Sequence, residues 1–210
     1  SGGRMFQFKE NKILFTTGDY RYRKLAQDLN STFGKILEID LENGDYKIVS
    51  YGHRNPQGLY YDKDKNYIIS TEHGPMGGDE ININFEPSKN IKNFGWPLAS
   101  YGEHYSIKEG KDKPINIKKY EKYPLYKSHK KYGFEEPKKY FVPSIGISQL
   151  IKVDSNQNET FFITSMKAKT IFKLKLDDQL NIIDESKFLI DERVRDIIKV
   201  NDNKIVTTIN

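Results

Sequence analysis

The stretch FQFKENKILFTT, residues 6–17, runs as an apolar strand, a polar turn at Glu10-Asn11-Lys12 and a second strand ending in Thr, the signature of a β-hairpin. The same pattern returns three times: GLYYDKDKNYIIST at 58–71, QLIKVDSNQNETFFITS at 149–165 and IIKVNDNKIVTTI at 197–209. Further polar turns stand at Glu42-Asn43-Gly44-Asp45 and Asp177-Asp178, and hairpins at GKILEID and KTIFKLKLD supply outer strands. A unit of about 40 to 50 residues with four strands is the arithmetic of a propeller blade. Helical periodicity is hard to find, so the chain reads as all-β, a β-propeller with about four blades, two of them incomplete. Such sheets must close on themselves or leave an edge open, and missing blades are the natural expectation.

The composition agrees with a folded domain. Of 210 residues, 36% are hydrophobic and 30% charged, enough to bury a core. No apolar run approaches the ~20 residues that span a bilayer. Cysteine is absent, which removes thiolate catalysis, disulfides and sulfur-bound zinc. The chain begins at Ser1 with neither a methionine nor a signal-like leader, so it reads as a fragment whose natural start is missing. A net charge of +5 suits any anionic ligand and selects none.

One stretch breaks the repeat. From Phe85 to Val142 the chain carries five prolines, many Lys and Tyr and little alternation, and it reads as a long excursion between blades. Lys and Tyr together can form a nucleic-acid surface, but +5 is a small charge for that role, so a solvated loop with Tyr rings on a sheet edge is the preferred reading.

Three groups of residues look like site material. In YGHRNPQG, 51–58, Arg54 and Asn55 offer a fixed cation and an amide suited to an oxygen that gains charge; the plain alternative is an Arg holding a turn. In EHGPMGGDEIN, 72–82, glycines and a proline expose carbonyls, and Asp79 and Glu80 add carboxylates, the hard-oxygen mixture that calcium takes; the alternative is a Gly-rich turn with a solvated acidic pair. Arg193 and Arg195, two apart on an extended segment, project to one side and, with Lys167 in TSMKAKT, suit an anionic ligand. Asp191, Glu192 and Asp196 stand ready to answer them structurally instead.

In order along the chain, TTGDYRYRKLAQDLNSTFGKILEID, YGHRNPQGL, EHGPMGGDEIN, NFGWP, SYGEHY, VPSIGISQ, TSMKAK and RVRD resemble the soluble quinoprotein glucose and aldose sugar dehydrogenases. These are six-bladed propellers that use pyrroloquinoline quinone (PQQ) and calcium. The resemblance implies that Arg54 and Asn55 contact the quinone, with Arg54 stabilising its developing negative charge. It places His73 in the cofactor loop, calcium on the Gly74 and Pro75 carbonyls, and the cofactor's carboxylates on Lys167, Arg193 and Arg195. Asp79, Glu80 and the Phe94 carbonyl fall near a second, structural calcium site; Phe94 stands where Tyr is usual, a change a backbone ligand tolerates. The implied reaction oxidises an aldose to a lactone, a histidine base taking the hydroxyl proton as hydride passes to the quinone, with an external electron acceptor to follow. That base belongs to a His-x-Gly-Gly-Arg motif, of which this chain has only Ser1-Gly2-Gly3-Arg4, so its position lies immediately before Ser1. His53, His104 and His129 do not match it, and the last two are expected at the surface or the substrate rim. The resemblance also implies export to the periplasm. The other reading is a non-catalytic propeller that binds a sugar or a protein.

Overall fold

The structure, a computed structural model, describes residues 2–105, 114–153, 159–201 and 204–209; Ser1 and the turn residues 154–158 and 202–203 lie outside the described residues. Strands β1 (Gly2–Lys9), β2 (Lys12–Thr17), β3 (Lys35–Asp40) and β4 (Tyr46–Tyr51) form one antiparallel meander. A second sheet holds β5 (Pro56–Asp62), β6 (Tyr67–Glu72), β7 (Asp79–Phe85) and β9 (Lys139–Phe141), and a third holds β10 (Ile147–Val153), β11 (Glu159–Ser165), β12 (Thr170–Leu176) and β13 (Ile182–Leu189). Strands β14 (Val194–Asn201) and β15 (Lys204–Ile209) pair alone. Among the described residues this makes three four-stranded blades and one two-stranded unit, so one blade rather than two is short of strands.

The first strands of the units neighbour one another, β1 against β5, β5 against β10 and β10 against β14, as inner strands around a common axis do. Blades stack face to face. Phe8, Leu14, Ile36, Val49, Leu59 and Ile68 fill the space between the first two. Tyr67, Ile69, Ile81, Ile147, Phe161 and Phe172 are among those between the second and third. Alternate residues of β6 serve opposite layers, which is why YIISTE is buried at every position, its apolar half Tyr67, Ile68 and Ile69 in the cores and Ser70, Thr71 and Glu72 toward the site end. Each fully buried Leu, Ile or Phe contributes about 1.5–3 kcal/mol, so these layers hold the stack together.

The excursion differs from expectation in three ways. It lies within the second blade, because β7 before it pairs with β9 at its end. It contains a nine-residue helix, α1 (Pro114–Lys122), and buries Trp96 and Leu125 with Ala26 in a small core of its own rather than lying in solvent. Finally, the two-residue strand β8 (Lys92–Asn93) pairs in parallel with the end of β4, Ser50 against Lys92 and Tyr51 against Asn93. The chain thus leaves β7 at one end of the blades and travels alongside β4 to the other. Segments this short carry no detectable period.

Candidate active site

In an antiparallel meander the starts of β1, β5, β7, β10 and β14 and the ends of β2, β4, β6, β11 and β13 lie at one end. The segments singled out from sequence all occupy those gaps. Hydrogen bonds link them in a circuit. The Gly2 N–H donates to Asn55 Oδ1 (2.9 Å). Arg4 pairs with Asp196 (2.7 Å) while its Nε donates to the Gln57 carbonyl. The Ser148 hydroxyl donates to the Arg195 carbonyl, and the Ser148 carbonyl accepts from Thr71. Asp79 accepts from the N–H groups of Ile147 (3.0 Å) and Gly74 (3.2 Å), and Arg54 Nη1 donates to the His73 carbonyl (2.9 Å).

Arg54 and Asn55 are held from below by Glu72, the last residue of β6. One Glu72 oxygen accepts both backbone N–H groups, Arg54 and Asn55, and the other accepts from His53 Nδ1 (2.9 Å). His53, fully buried and stacked on Phe94, has its Nε2 2.8 Å from the Ser50 hydroxyl. With Nδ1–H donated to the carboxylate, Nε2 accepts the hydroxyl proton, and the buried ring is satisfied without exposure. The Arg54 guanidinium remains half-buried beside Trp96 and Tyr105, 5.4 and 5.7 Å from their ring centroids.

The His73-Gly74-Pro75 loop is packed too tightly for a side chain at Gly74, whose Cβ would lie 2.0 Å from the Gly78 carbonyl oxygen. Among the described residues the Gly74 and Pro75 carbonyls accept no hydrogen bond, so their lone pairs are available to a cation, which suits calcium. Asp79 acts differently from a free ligand. Burial raises its carboxyl, but His73 and the Ile147 N–H outweigh that and hold it below the usual range. Its oxygens brace the loop. Glu80 is buried, and desolvation together with Glu72 pushes it well above the usual carboxylate range. His129 Nε2 stands 3.7 Å away and, like the side-chain Oδ1 of Asn82, has no hydrogen-bond partner among the described residues. Phe94 is buried nearby, with Arg54, Glu72 and Glu80 around the same small cavity. These unsatisfied polar atoms fit a further polar guest. Among the described residues no three His, Cys, Asp or Glu side chains cluster as metal ligands, so carbonyls would have to complete any coordination.

Lys167 lies exposed on the bend after β11, its backbone fixed by the Ile145 carbonyl and packed against Gly146, whose φ of +66° leaves no room for a side chain. Arg193, also exposed, comes within 4.0 Å of the Met166 sulfur. The acids flanking the arginines have other partners: Asp196 takes Arg4, and Asp191 takes Lys169 at 3.6 Å. His104 and His129 are buried, not at the surface: His104 Nε2 meets the Tyr123 carbonyl (2.8 Å) and His129 Nδ1 the Glu135 carbonyl (3.2 Å).

A family model described as glucose/sorbosone dehydrogenase matches residues 1–210. The chain belongs to this family. It is 31% identical to the aldose sugar dehydrogenase YliI of Escherichia coli (strain K12), over 93% of this chain and 53% of that protein. It is 28% identical to quinoprotein glucose dehydrogenase B of Acinetobacter calcoaceticus, over 47% of this chain and 26% of that one. A solved structure titled glucose dehydrogenase superposes with a TM-score of 0.79 at 29% identity, covering 99% of this chain and 60% of the other. The chain thus spans about half the length of the Escherichia coli relative and 60% of that solved structure, and its fold is that of their propeller.

Several residues of this glucose/sorbosone dehydrogenase chain that shape the site escaped the sequence reading. Glu72 could have been counted out, since the hairpin turn at 62–67 pairs Tyr61 with Ile68 and, one bulge later, Pro56 with Glu72. Lys35 is fully buried, its ammonium on the Leu25, Ala26 and Phe33 carbonyls, and it pins the short 3₁₀ turn Arg23–Gln27 beside the site. Arg23 and Trp96 meet only because the excursion climbs along β4, and nothing local signals that contact. Among the described residues no helix is long and apolar enough to cross a membrane.

Proposed function

We propose that this chain carries the cofactor-binding part of a PQQ- and calcium-dependent dehydrogenase that oxidises aldose sugars to lactones. The observation that supports the reading is the circuit of hydrogen bonds joining Gly2, Arg54–Asn55, the Gly74–Pro75 loop, Ile147 and the backbones of Lys167 and Arg195 at one end of the blades. When bound, PQQ supplies the two-electron acceptor for the hydride of the anomeric carbon.

The residues divide the work. Arg54, fixed by Glu72 beneath its backbone, presents a cation to the oxygen that gains charge, and Asn55 lies beside it, its amide oxygen already engaged by Gly2. Lys167, Arg193 and Arg195 offer three cations to the cofactor's carboxylates, and His73 lines the loop. The Gly74 and Pro75 carbonyls hold calcium, while Asp79 braces them; Glu80 and the Phe94 carbonyl provide for a second calcium. The sugar hydroxyl proton would pass to a histidine base, and electrons would leave through an external acceptor. The reading places the protein in the periplasm.

Titrating the full-length protein with PQQ and calcium should shift the quinone absorbance and support dye reduction by aldoses. Arg54→Ala and Lys167→Ala should each lower kcat/KM at least 10-fold. No absorbance change would favour a non-catalytic propeller.

A further inference from the structure

Arg23 and Arg54 flank the same indole. Their guanidinium carbons lie 5.2 and 5.4 Å from the Trp96 ring centroid, and Arg23 also lies 5.7 Å from Tyr123. Both are half-buried. Lys119 joins them from α1, its ammonium donating to the Tyr105 carbonyl (2.9 Å). Burial and the neighbouring Arg54 lower Arg23, and burial and Arg23 lower Lys119, as expected of cations crowded together.

Asp19 attracts Arg23 and offsets part of this charge, one carboxylate against three cations. Among the described residues none of the three has a carboxylate within ion-pair distance. The nearest acid, Asp19, is already occupied: Oδ2 accepts from the Trp96 indole (2.9 Å) and Oδ1 from the Arg21 N–H (3.0 Å). Arg23 Nη1 instead meets His104 Nδ1 at 3.1 Å. His104 Nε2 faces the Tyr123 carbonyl and therefore carries the proton, so Nδ1 is a neutral acceptor; burial also disfavours the imidazolium. Two partly desolvated guanidiniums and an ammonium answered by a single carboxylate that makes no ion pair with them are costly unless a ligand supplies further negative charge. Lys167, Arg193 and Arg195 already answer the cofactor's carboxylates, and Arg23 comes from a different segment, on the Trp96 side of Arg54.

We propose that Arg23, with Arg54 and Lys119, forms a subsite for an oxyanion borne by the sugar substrate, a phosphate or a carboxylate remote from the anomeric carbon. Tyr105, half exposed, offers an aromatic face beside it. This rests on the reading of the Arg54 end as the place of sugar oxidation, and it adds that anionic aldoses are preferred to neutral ones.

Trp96 is the only tryptophan of these 210 residues, and the difference between the parent and a Trp96→Phe variant isolates its fluorescence at this subsite. Cofactor-free full-length protein would be titrated at low ionic strength with glucose 6-phosphate, glucuronate, glucose and inorganic phosphate. Glucose 6-phosphate or glucuronate should saturate at least 10-fold below glucose, with inorganic phosphate weaker than the sugar phosphate. Arg23→Gln should abolish that preference, and Arg23→Lys should retain part of it. A preference unchanged in Arg23→Gln, or no preference in the parent, overturns the proposal; phosphate binding as tightly as the sugar phosphate assigns the site to a free oxyanion and also overturns it. Because binding is read without PQQ, oxidation of neutral aldoses without anionic preference refutes only the subsite, whereas anion binding without any PQQ response refutes only the dehydrogenase reading.

Discussion

Replacing Glu72 tests whether the Arg54–Asn55 segment is held by one buried carboxylate. Glu72 is 4% exposed and accepts three hydrogen bonds, from the Arg54 and Asn55 N–H groups and from His53 Nδ1. In Glu72→Ala all three donors lose their partner inside the blade. At about 1–3 kcal/mol per unsatisfied buried group the loss is about 3–9 kcal/mol, a large part of the ~5–15 kcal/mol that stabilises a domain. Glu72→Gln keeps an oxygen for the two backbone donors and presents an amide to His53. The ring can accept that amide if its proton moves from Nδ1 to Nε2, where the Ser50 hydroxyl, 2.8 Å away, receives it. Only charge assistance is then lost, about 1–2 kcal/mol. Urea denaturation should therefore separate the two variants by about 2–7 kcal/mol, and nitrogen NMR of His53 should show the tautomer exchanged in Glu72→Gln. Equal stabilities, or a His53 that keeps its Nδ1 proton in the glutamine variant, would refute the reasoning.

Two further outcomes follow from buried cations. Lys35→Met strips the Phe33 carbonyl of its ammonium and weakens the satisfaction of the Leu25 and Ala26 carbonyls, for about 2–4 kcal/mol by urea denaturation. Burial lowers the Lys35 ammonium to about 8 from 10.5, so between those values the unfolded chain binds more protons than the folded one. Stability relative to Lys35→Met should then rise with pH from 8 to 10.5, with a slope of up to about 1.4 kcal/mol per unit, and lie flat below 8; a falling slope would contradict the assignment. At the opposite end of the blades Lys152 lies 2.6 Å from both Asp62 and Glu159, two carboxylates almost fully buried. Lys152→Met should cost about 2–4 kcal/mol, and Asp62→Asn in the same chain should restore part of it, because the penalty is the uncompensated buried charge.

The blades were legible because their physics is local. A hairpin needs only two alternating or apolar strands and a polar turn, and residues 6–17, 58–71, 149–165 and 197–209 each carry all of that within about 17 positions. The ligand-like segments were legible through the types of residue they gather, as in His73-Gly74-Pro75. The supports beneath them were not. Lys35 looks like an ordinary lysine at a strand start until the 3₁₀ turn folds over it, and His104 looks like a surface histidine until Arg23, 81 residues away, supplies its donor. The excursion hid its own order, since strands of two and three residues cannot show a period, and its helix has a weakly apolar face.

The parity of the meander explains why the candidate site residues gather at one end of the blades and the Lys152 ion-pair cluster at the other. Gaps after even-numbered strands of a complete blade, such as 17–35, 51–56, 72–79, 165–170 and 189–194, fall at the end where Arg54, Gly74, Lys167 and Arg193 lie. The gaps between, such as 9–12, 40–46, 62–67 and 176–182, fall at the end where Lys152 joins Asp62 and Glu159. The excursion alone crosses between them. It leaves β7 on the stabilising side, runs parallel to β4 and delivers Trp96 and Tyr105 to Arg54 on the other. Changes between β8 and β9 can therefore alter what stands against Arg54 while the strand pairings of the blades stay in place. Arg23 is the part of the inner scaffold positioned to respond.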